Sequence, residues 1–170
     1  MKVLLTGIAG TGKTTALAEL QKRGFAVIEL DATGMCRWKN KTTGEFTWYG
    51  EAGQSSQWLA EHGWYCDIDT LKKLLSCIRE DKDIFVAVIA ENVEDVAHEF
   101  DKVFVFTAGN DVIKERLARR SNNNFAKQEE EQEFILNQSE ELLKKLKNFT
   151  KVDANQDTVQ VVDFILKSMN

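Results

Sequence analysis

Gly7-Ile8-Ala9-Gly10-Thr11-Gly12-Lys13-Thr14 is the stretch whose reading decides the fold. It spells G-x-x-x-x-G-K-[ST]. An apolar run, Val3-Leu4-Leu5, precedes it, and a segment with Leu17 and Leu20 on one helical face follows it. Strand, glycine-rich loop and helix therefore stand in the order a phosphate cradle needs. Glycines let backbone N–H groups curl around phosphate oxygens, and the helix N-terminus adds partial positive charge behind them. The pattern makes Gly7, Gly10, Thr11, Gly12, Lys13, Thr14 and Thr15 the candidate nucleotide-binding residues. Lys13 is placed to reach the β and γ phosphates, and the Thr14 hydroxyl to ligate Mg²⁺.

Outward from the loop, the chain alternates between strand and helix. Residues 2–6, 25–30, 84–89, 103–106 and 150–152 read as strands, and helices are expected over 13–23, 67–79, 93–99, 111–120, 127–147 and about 159–166. Alternation of this kind means a doubly wound α/β fold. Asp31 stands at the C-terminal end of the second strand, the edge where open α/β sheets bind ligands. Residues 31–66 are less regular and hold all four tryptophans, Trp38, Trp48, Trp58 and Trp64. A turn at 39–44 suggests a small hairpin ending at Trp48-Tyr49, and 54–61 a short helix. A long irregular stretch inside a compact domain is more often functional than idle. Its tryptophans suit either a substrate pocket or a satellite core beneath an insertion.

The 170 residues are expected to form one domain, 1–170, with adequate length for a core. A formal net charge of −5 argues against a general nucleic-acid binder. No apolar run is long enough to span a bilayer, and no signal peptide is recognised. Cys36, Cys66 and Cys77 have no metal-ligand spacing and read as reduced thiols, so a cytoplasmic protein is expected. His62 and His98 have no partners at ligand spacing.

Three parts of the chain together resemble the small P-loop kinases of the adenylate, shikimate and gluconate kinase type. They are the loop GIAGTGKT, the segment Glu115-Arg116-Leu117-Ala118-Arg119-Arg120 running on to Asn123-Asn124-Phe125-Ala126-Lys127, and the ending Val152-Asp153-Ala154-Asn155. The resemblance implies a three-layer P-loop NTPase fold, with a five-stranded parallel sheet of order 2-3-1-4-5. It also implies a helical lid over about 116–135 and an acceptor-binding insertion at about 31–66. Under it, Arg116 lies against the adenine, Arg120 contacts the transferring phosphates, and Asn155 belongs to the loop bordering the base. Lys127 is a weaker candidate for a lid cation that arrives on closure, and Arg119 stands level with it, the other reading of both being a solvated helix face. Asp31 matches the position of an acidic residue near the acceptor hydroxyl, and its other reading is a cap after the strand. Arg37 and Trp38 follow as acceptor-side candidates, Arg37 for an anionic acceptor.

Some positions depart from the family. The third strand runs on as Val88-Ile89-Ala90, and the first acid is Glu91, which serves either the Mg²⁺ shell or a helix cap. Ala126 occupies a place where related lids often carry glycine. The lid has no cysteine quartet for zinc.

The expected activity is transfer of the γ-phosphoryl of ATP, with Mg²⁺, to a small-molecule hydroxyl or phosphate. Lys13, Asp31 and Arg120 would carry it, in a monomer without membrane or nucleic-acid partners. A GTPase is disfavoured. Asp31-Ala32-Thr33-Gly34 spells D-x-x-G too early in the chain, and Asn40-Lys41-Thr42 is followed by Thr43 where N-K-x-D needs aspartate. A regulatory nucleotide-binding module, an NTP hydrolase without an acceptor, and a nucleic-acid end kinase stay open.

Overall fold

Residues 1–48, 55–79, 81–119, 126 and 129–169 are described in the computed structural model of the chain. Its strands are β1 (Lys2–Thr6), β2 (Ala26–Glu29), β3 (Cys36–Asn40), β4 (Phe46–Thr47), β5 (His62–Cys66), β6 (Ile84–Ala87), β7 (Lys102–Thr107) and β8 (Thr150–Asp153). Its helices are α1 (Lys13–Lys22), α2 (Ser56–Glu61), α3 (Ile68–Ser76), α4 (Val93–Ala97), α5 (Asn110–Ala118), α6 (Glu129–Lys145) and α7 (Thr158–Lys167).

Five strands form one sheet in the order β2-β6-β1-β7-β8. All four pairings are parallel. Counted among themselves in chain order, they run 2-3-1-4-5, as the resemblance implies. Side chains alternate across a strand, so each sheet face carries its own core. Val3, Leu5, Phe85 and Phe104 pack with Leu17, Leu20, Val162 and Ile165 of α1 and α7. Leu4, Val86 and Val105 face the opposite layer, with Leu71 of α3, Val96 of α4, Leu117 of α5 and Ile135 of α6. Two helical layers around the sheet bury β1, β6 and β7 on both faces, which explains why these central strands read as continuous apolar runs.

β6 ends at Ala87, two residues before the expected limit. Its partner β1 stops at Thr6, where the chain turns into the glycine loop, and the last aligned pair is Leu5 with Ala87. With no prolines in the chain, helix ends rest on polar caps and glycine. Ser55 accepts from the Trp58 amide at 3.2 Å, Asp67 from Thr70 at 3.0 Å and Asp157 from Val159 at 2.8 Å. The Thr70 N–H at this cap holds the Asp67 carboxyl below its ordinary value.

The irregular stretch resolves into a second, antiparallel sheet in the order β4-β3-β5. The expected hairpin is β3–β4: the Asn40 side-chain oxygen accepts from the amides of Thr42 and Thr43, each at 2.9 Å. The expected short helix is α2. Strand β5 was not anticipated. It docks onto the C-terminal edge of the main sheet through the Asn92 amide, which donates to the Cys66 carbonyl and accepts from the Cys66 N–H, both at 3.0 Å. The Glu91 N–H adds a bond to the Trp64 carbonyl at 2.7 Å. Tyr49 and Gln54, at the expected ends of the hairpin and the short helix, lie outside the described residues, as does the lid segment around Arg120 and Lys127.

Candidate active site

The glycine loop is held in shape by its own atoms. Gly7 has φ +146, and a Cβ there would come within 2.7 Å of the Phe106 carbonyl oxygen, so β7 leaves no room for a side chain. Gly12 starts α1 in the left-handed region at φ 94, which glycine adopts without steric cost. The Thr11 hydroxyl donates to the Ile8 carbonyl at 2.8 Å. The Lys13 ammonium folds back into the loop and donates to the carbonyls of Gly7 at 2.7 Å and Ile8 at 3.1 Å. Lys13 is buried at 8% exposure, so its charge acts in a medium that screens it weakly. Thr15 stands exposed on the first turn of α1, facing the same cleft.

One residue on, the Thr14 hydroxyl donates to the carboxylate of Glu29 at the end of β2. Glu29 was not anticipated. The chain leaves β2 through a 3₁₀ turn over Leu30–Ala32, which brings Asp31 to the same sheet edge two residues further on. The Asp31 carboxylate accepts from the Trp64 indole N–H at 2.8 Å. Burial raises the Asp31 carboxyl above its ordinary value, opposed by the Trp64 bond and by the Lys13 charge, while Glu29 adds to the rise. Asp31 thus lies within the field of Lys13.

A cleft of about 660 Å³ runs over this loop. At one end, Arg116 of α5 donates to the Ala154 carbonyl at 2.9 Å and the Thr11 carbonyl at 3.4 Å, tying the glycine loop to the loop after β8. Gln156 and Thr158 line this end, and neither was anticipated. Asn155 does not face the cleft. Its side chain accepts from the Gly109 N–H at 2.9 Å and donates to Asp153 at 2.7 Å, so its neighbours rather than its amide form the wall. Arg119 lines the cleft and is paired with Glu115 at 2.7 Å.

The other end is walled by Trp38 and Trp64 and by Phe134, Ile135 and Leu142 of α6. Arg37 does not join Trp38 there. Adjacent strand residues point to opposite faces, and Arg37 lies over the Phe46 ring at 4.1 Å on the far side of the small sheet. Glu91 stands at the rim between Lys41 at 3.7 Å and Lys145 at 4.0 Å, and it is Glu29 that contacts Thr14. Cys36 sits directly opposite Cys66 across β3 and β5. Contact with Cys66 and burial push the Cys36 thiol well up, which keeps it protonated and inert as a nucleophile.

No group of three or more His, Cys, Asp or Glu side chains among the described residues forms a metal cage. A hydroxyl and two carboxylates beside a phosphate loop are instead the sparse, hard-oxygen donor set that suits Mg²⁺, which keeps most of its waters.

No curated protein matches the chain by sequence. Among solved structures, a deoxyadenosine kinase from M. mycoides with bound products superposes with TM-score 0.62 at 16% identity, covering 100% of this chain and 99% of that one. A gluconokinase from Sinorhizobium meliloti 1021 gives 0.57 at 16%, covering 99% and 90%. A shikimate kinase from Bacteroides thetaiotaomicron gives 0.57 at 16%, covering 99% and 98%. At such identities the likeness establishes the fold, that of the small P-loop kinases, with strand order and glycine loop in agreement. The sequence profile of one family, described as an AAA domain, matches residues 3–137, and the chain accordingly belongs to that family, AAA_18.

Proposed function

We propose that the protein is an ATP-dependent phosphotransferase that moves the γ-phosphoryl group to a hydroxyl of a small molecule. The observation that carries this reading is the continuity of one cleft. It runs from Arg116 and Gln156, past the Lys13 ammonium, to the Asp31 carboxylate and the tryptophan wall. A hydrolase needs no walled extension of the cleft beyond the phosphate loop, and here the cleft continues to Trp38 and Trp64. Deoxyadenosine, gluconate and shikimate kinases share the fold and act on small molecules, which supports the same reading.

The adenine lies by Arg116, whose planar guanidinium suits an aromatic ring. The loop amides and Lys13 hold the β and γ phosphates. The Lys13 ammonium exchanges its carbonyl partners for phosphate oxygens, a charge-assisted gain at a site already desolvated. Thr14, with Glu29 and Asp31 acting through water, would hold Mg²⁺, which when bound spreads the phosphate charge. Asp31 takes the proton of the acceptor hydroxyl as its oxygen bonds to the γ phosphorus, and the bond to the β–γ bridging oxygen breaks to leave ADP. Arg120, outside the described residues, is assigned to the transferring phosphate from the lid, with Lys127 as a second cation. Lid closure excludes water, the competing acceptor. The protein is taken to act as a monomer.

The test is acceptor-dependent ADP formation. Lys13→Ala should lower it by two orders of magnitude or more with far-UV circular dichroism unchanged. ADP release that proceeds equally without any acceptor would replace transfer by hydrolysis.

A further inference from the structure

We infer that the acceptor is an uncharged ring compound bearing hydroxyls, laid against Trp38 and Trp64, and that acceptors carrying phosphate or carboxylate are discriminated against. The inference rests on the phosphotransfer reading for its chemistry but on separate observations for its substrate class.

The first observation is a braced aromatic wall. Trp38 meets Trp64 at 5.6 Å between ring centroids, with planes 60° apart, and meets Trp58 at 5.1 Å. Trp58 is in turn stacked on His62 at 4.2 Å with planes 10° apart, and the His62 Nδ1 lies 2.8 Å from the Trp58 carbonyl. The wall is therefore held before any ligand arrives, which lowers the ordering cost of binding a flat or apolar ring face. The ring that forms part of this wall also holds the base, since the Trp64 indole N–H is bonded to Asp31. A ring seated here brings its hydroxyl to the carboxylate.

The second observation is the charge around that wall. Each described lysine at this end is matched by an acid: Lys41 with Glu91 at 3.7 Å, Lys145 with Glu91 at 4.0 Å and with Glu141 at 3.1 Å. Arg37 and Lys39 lie across the small sheet, over Phe46 at 4.1 Å and Tyr65 at 5.3 Å. Asp31 and Glu29 add negative charge beside the phosphate loop. An anionic acceptor would have to break existing ion pairs and approach two carboxylates, both unfavourable in a cleft partly closed to water. An uncharged polyol meets only acceptors and donors it can satisfy, among them the Gln138 amide on α6.

The test uses matched pairs with the intact chain. Adenosine, cytidine and thymidine are set against their 3′- and 5′-monophosphates, and glucose and ribose against glucuronate and ribose 5-phosphate. ADP formation at saturating Mg²⁺ and ATP gives kcat/KM, and quenching of tryptophan emission gives binding. At least one uncharged ring should quench and turn over, with kcat/KM at least tenfold above its anionic counterpart. The nucleoside and sugar arms identify which ring it is. Trp38→Ala should raise the acceptor KM severalfold and leave that of ATP unchanged. Glu91→Gln, which removes the acid facing Lys41 and leaves Lys145 with Glu141, should narrow the tenfold preference. Preference for the anionic partner, or quenching by none of the uncharged rings, overturns the inference. Quenching by an uncharged ring without acceptor-dependent ADP release leaves the acceptor class standing and overturns phosphotransfer instead.

Discussion

Asp31 is poised by two opposing influences. Burial raises its carboxyl above the ordinary value of 3.8, and the Trp64 indole N–H pulls it back down. A raised carboxyl disfavours the ionised form in the folded chain. Its contribution to stability is therefore greatest below the ordinary value, declines as pH climbs through it, and levels off above the raised one. A base must be ionised to take a proton, so the acid limb of kcat/KM should lie above the ordinary carboxylate value. Trp64→Phe removes a bond that favours the ionised form and should move that limb to still higher pH, which a pH–rate profile would show. A limb moving to lower pH would mean that Trp64 does not hold the base. Asp31 was legible in the sequence because it ends an apolar run at the ligand edge. Glu29 was not, because inside that run it reads as a strand residue, and only the 3₁₀ turn shows that two carboxylates share the edge. Arg37 and Trp38 looked like one pair, since composition carries no strand parity. Parity appears only once β3 is paired to β5.

At the scale of elements, β1, β6 and β7 at the centre of the main sheet were readable as apolar runs, and the edge strands β2 and β8 as shorter, less buried ones. The small sheet was only half readable. His62-Gly63-Trp64-Tyr65-Cys66 shows no alternation of apolar and polar residues, because both faces of β5 are covered or partly covered. Its docking rests on the Asn92 amide, which satisfies both backbone groups of Cys66. Asn92→Ala should cost about 2 kcal/mol, measured by urea denaturation, by leaving those groups unpaired. It should also raise the acceptor KM more than that of ATP. Ahead of α6, Ala126 adopts φ 70 at full burial, its N–H donating to Glu131 at 2.8 Å and its carbonyl accepting from Gln132 at 3.1 Å. Glycine would adopt this left-handed backbone without steric cost. Ala126→Val adds β-branching to a left-handed buried position and should destabilise by about 2–3 kcal/mol, read from the denaturation midpoint. An unchanged midpoint would show that the segment relaxes freely.

For the whole molecule, nucleotide binding and stability are linked. The glycine loop joins β1 to α1, packs against Phe106 and is tied by Arg116 to the loop after β8. A ligand seated in it holds elements from both ends of the chain. Mg²⁺ and ATP at a hundredfold excess over Kd should stabilise the fold by about 2.7 kcal/mol, seen as a rise in Tm that Lys13→Ala abolishes. A rise that persists in the variant would place binding elsewhere.

The position of β1 has a consequence for synthesis. β1 is made ahead of both its neighbours and becomes the middle of the sheet, flanked by β6 and β7, which begin at Ile84 and Lys102. On the ribosome it must wait for roughly 80 further residues, some 4–16 s at ordinary elongation rates, before either neighbour exists. The nascent chain therefore carries the apolar Val3-Leu4-Leu5 run unpaired over that interval, and early mistakes in assembly will concentrate there.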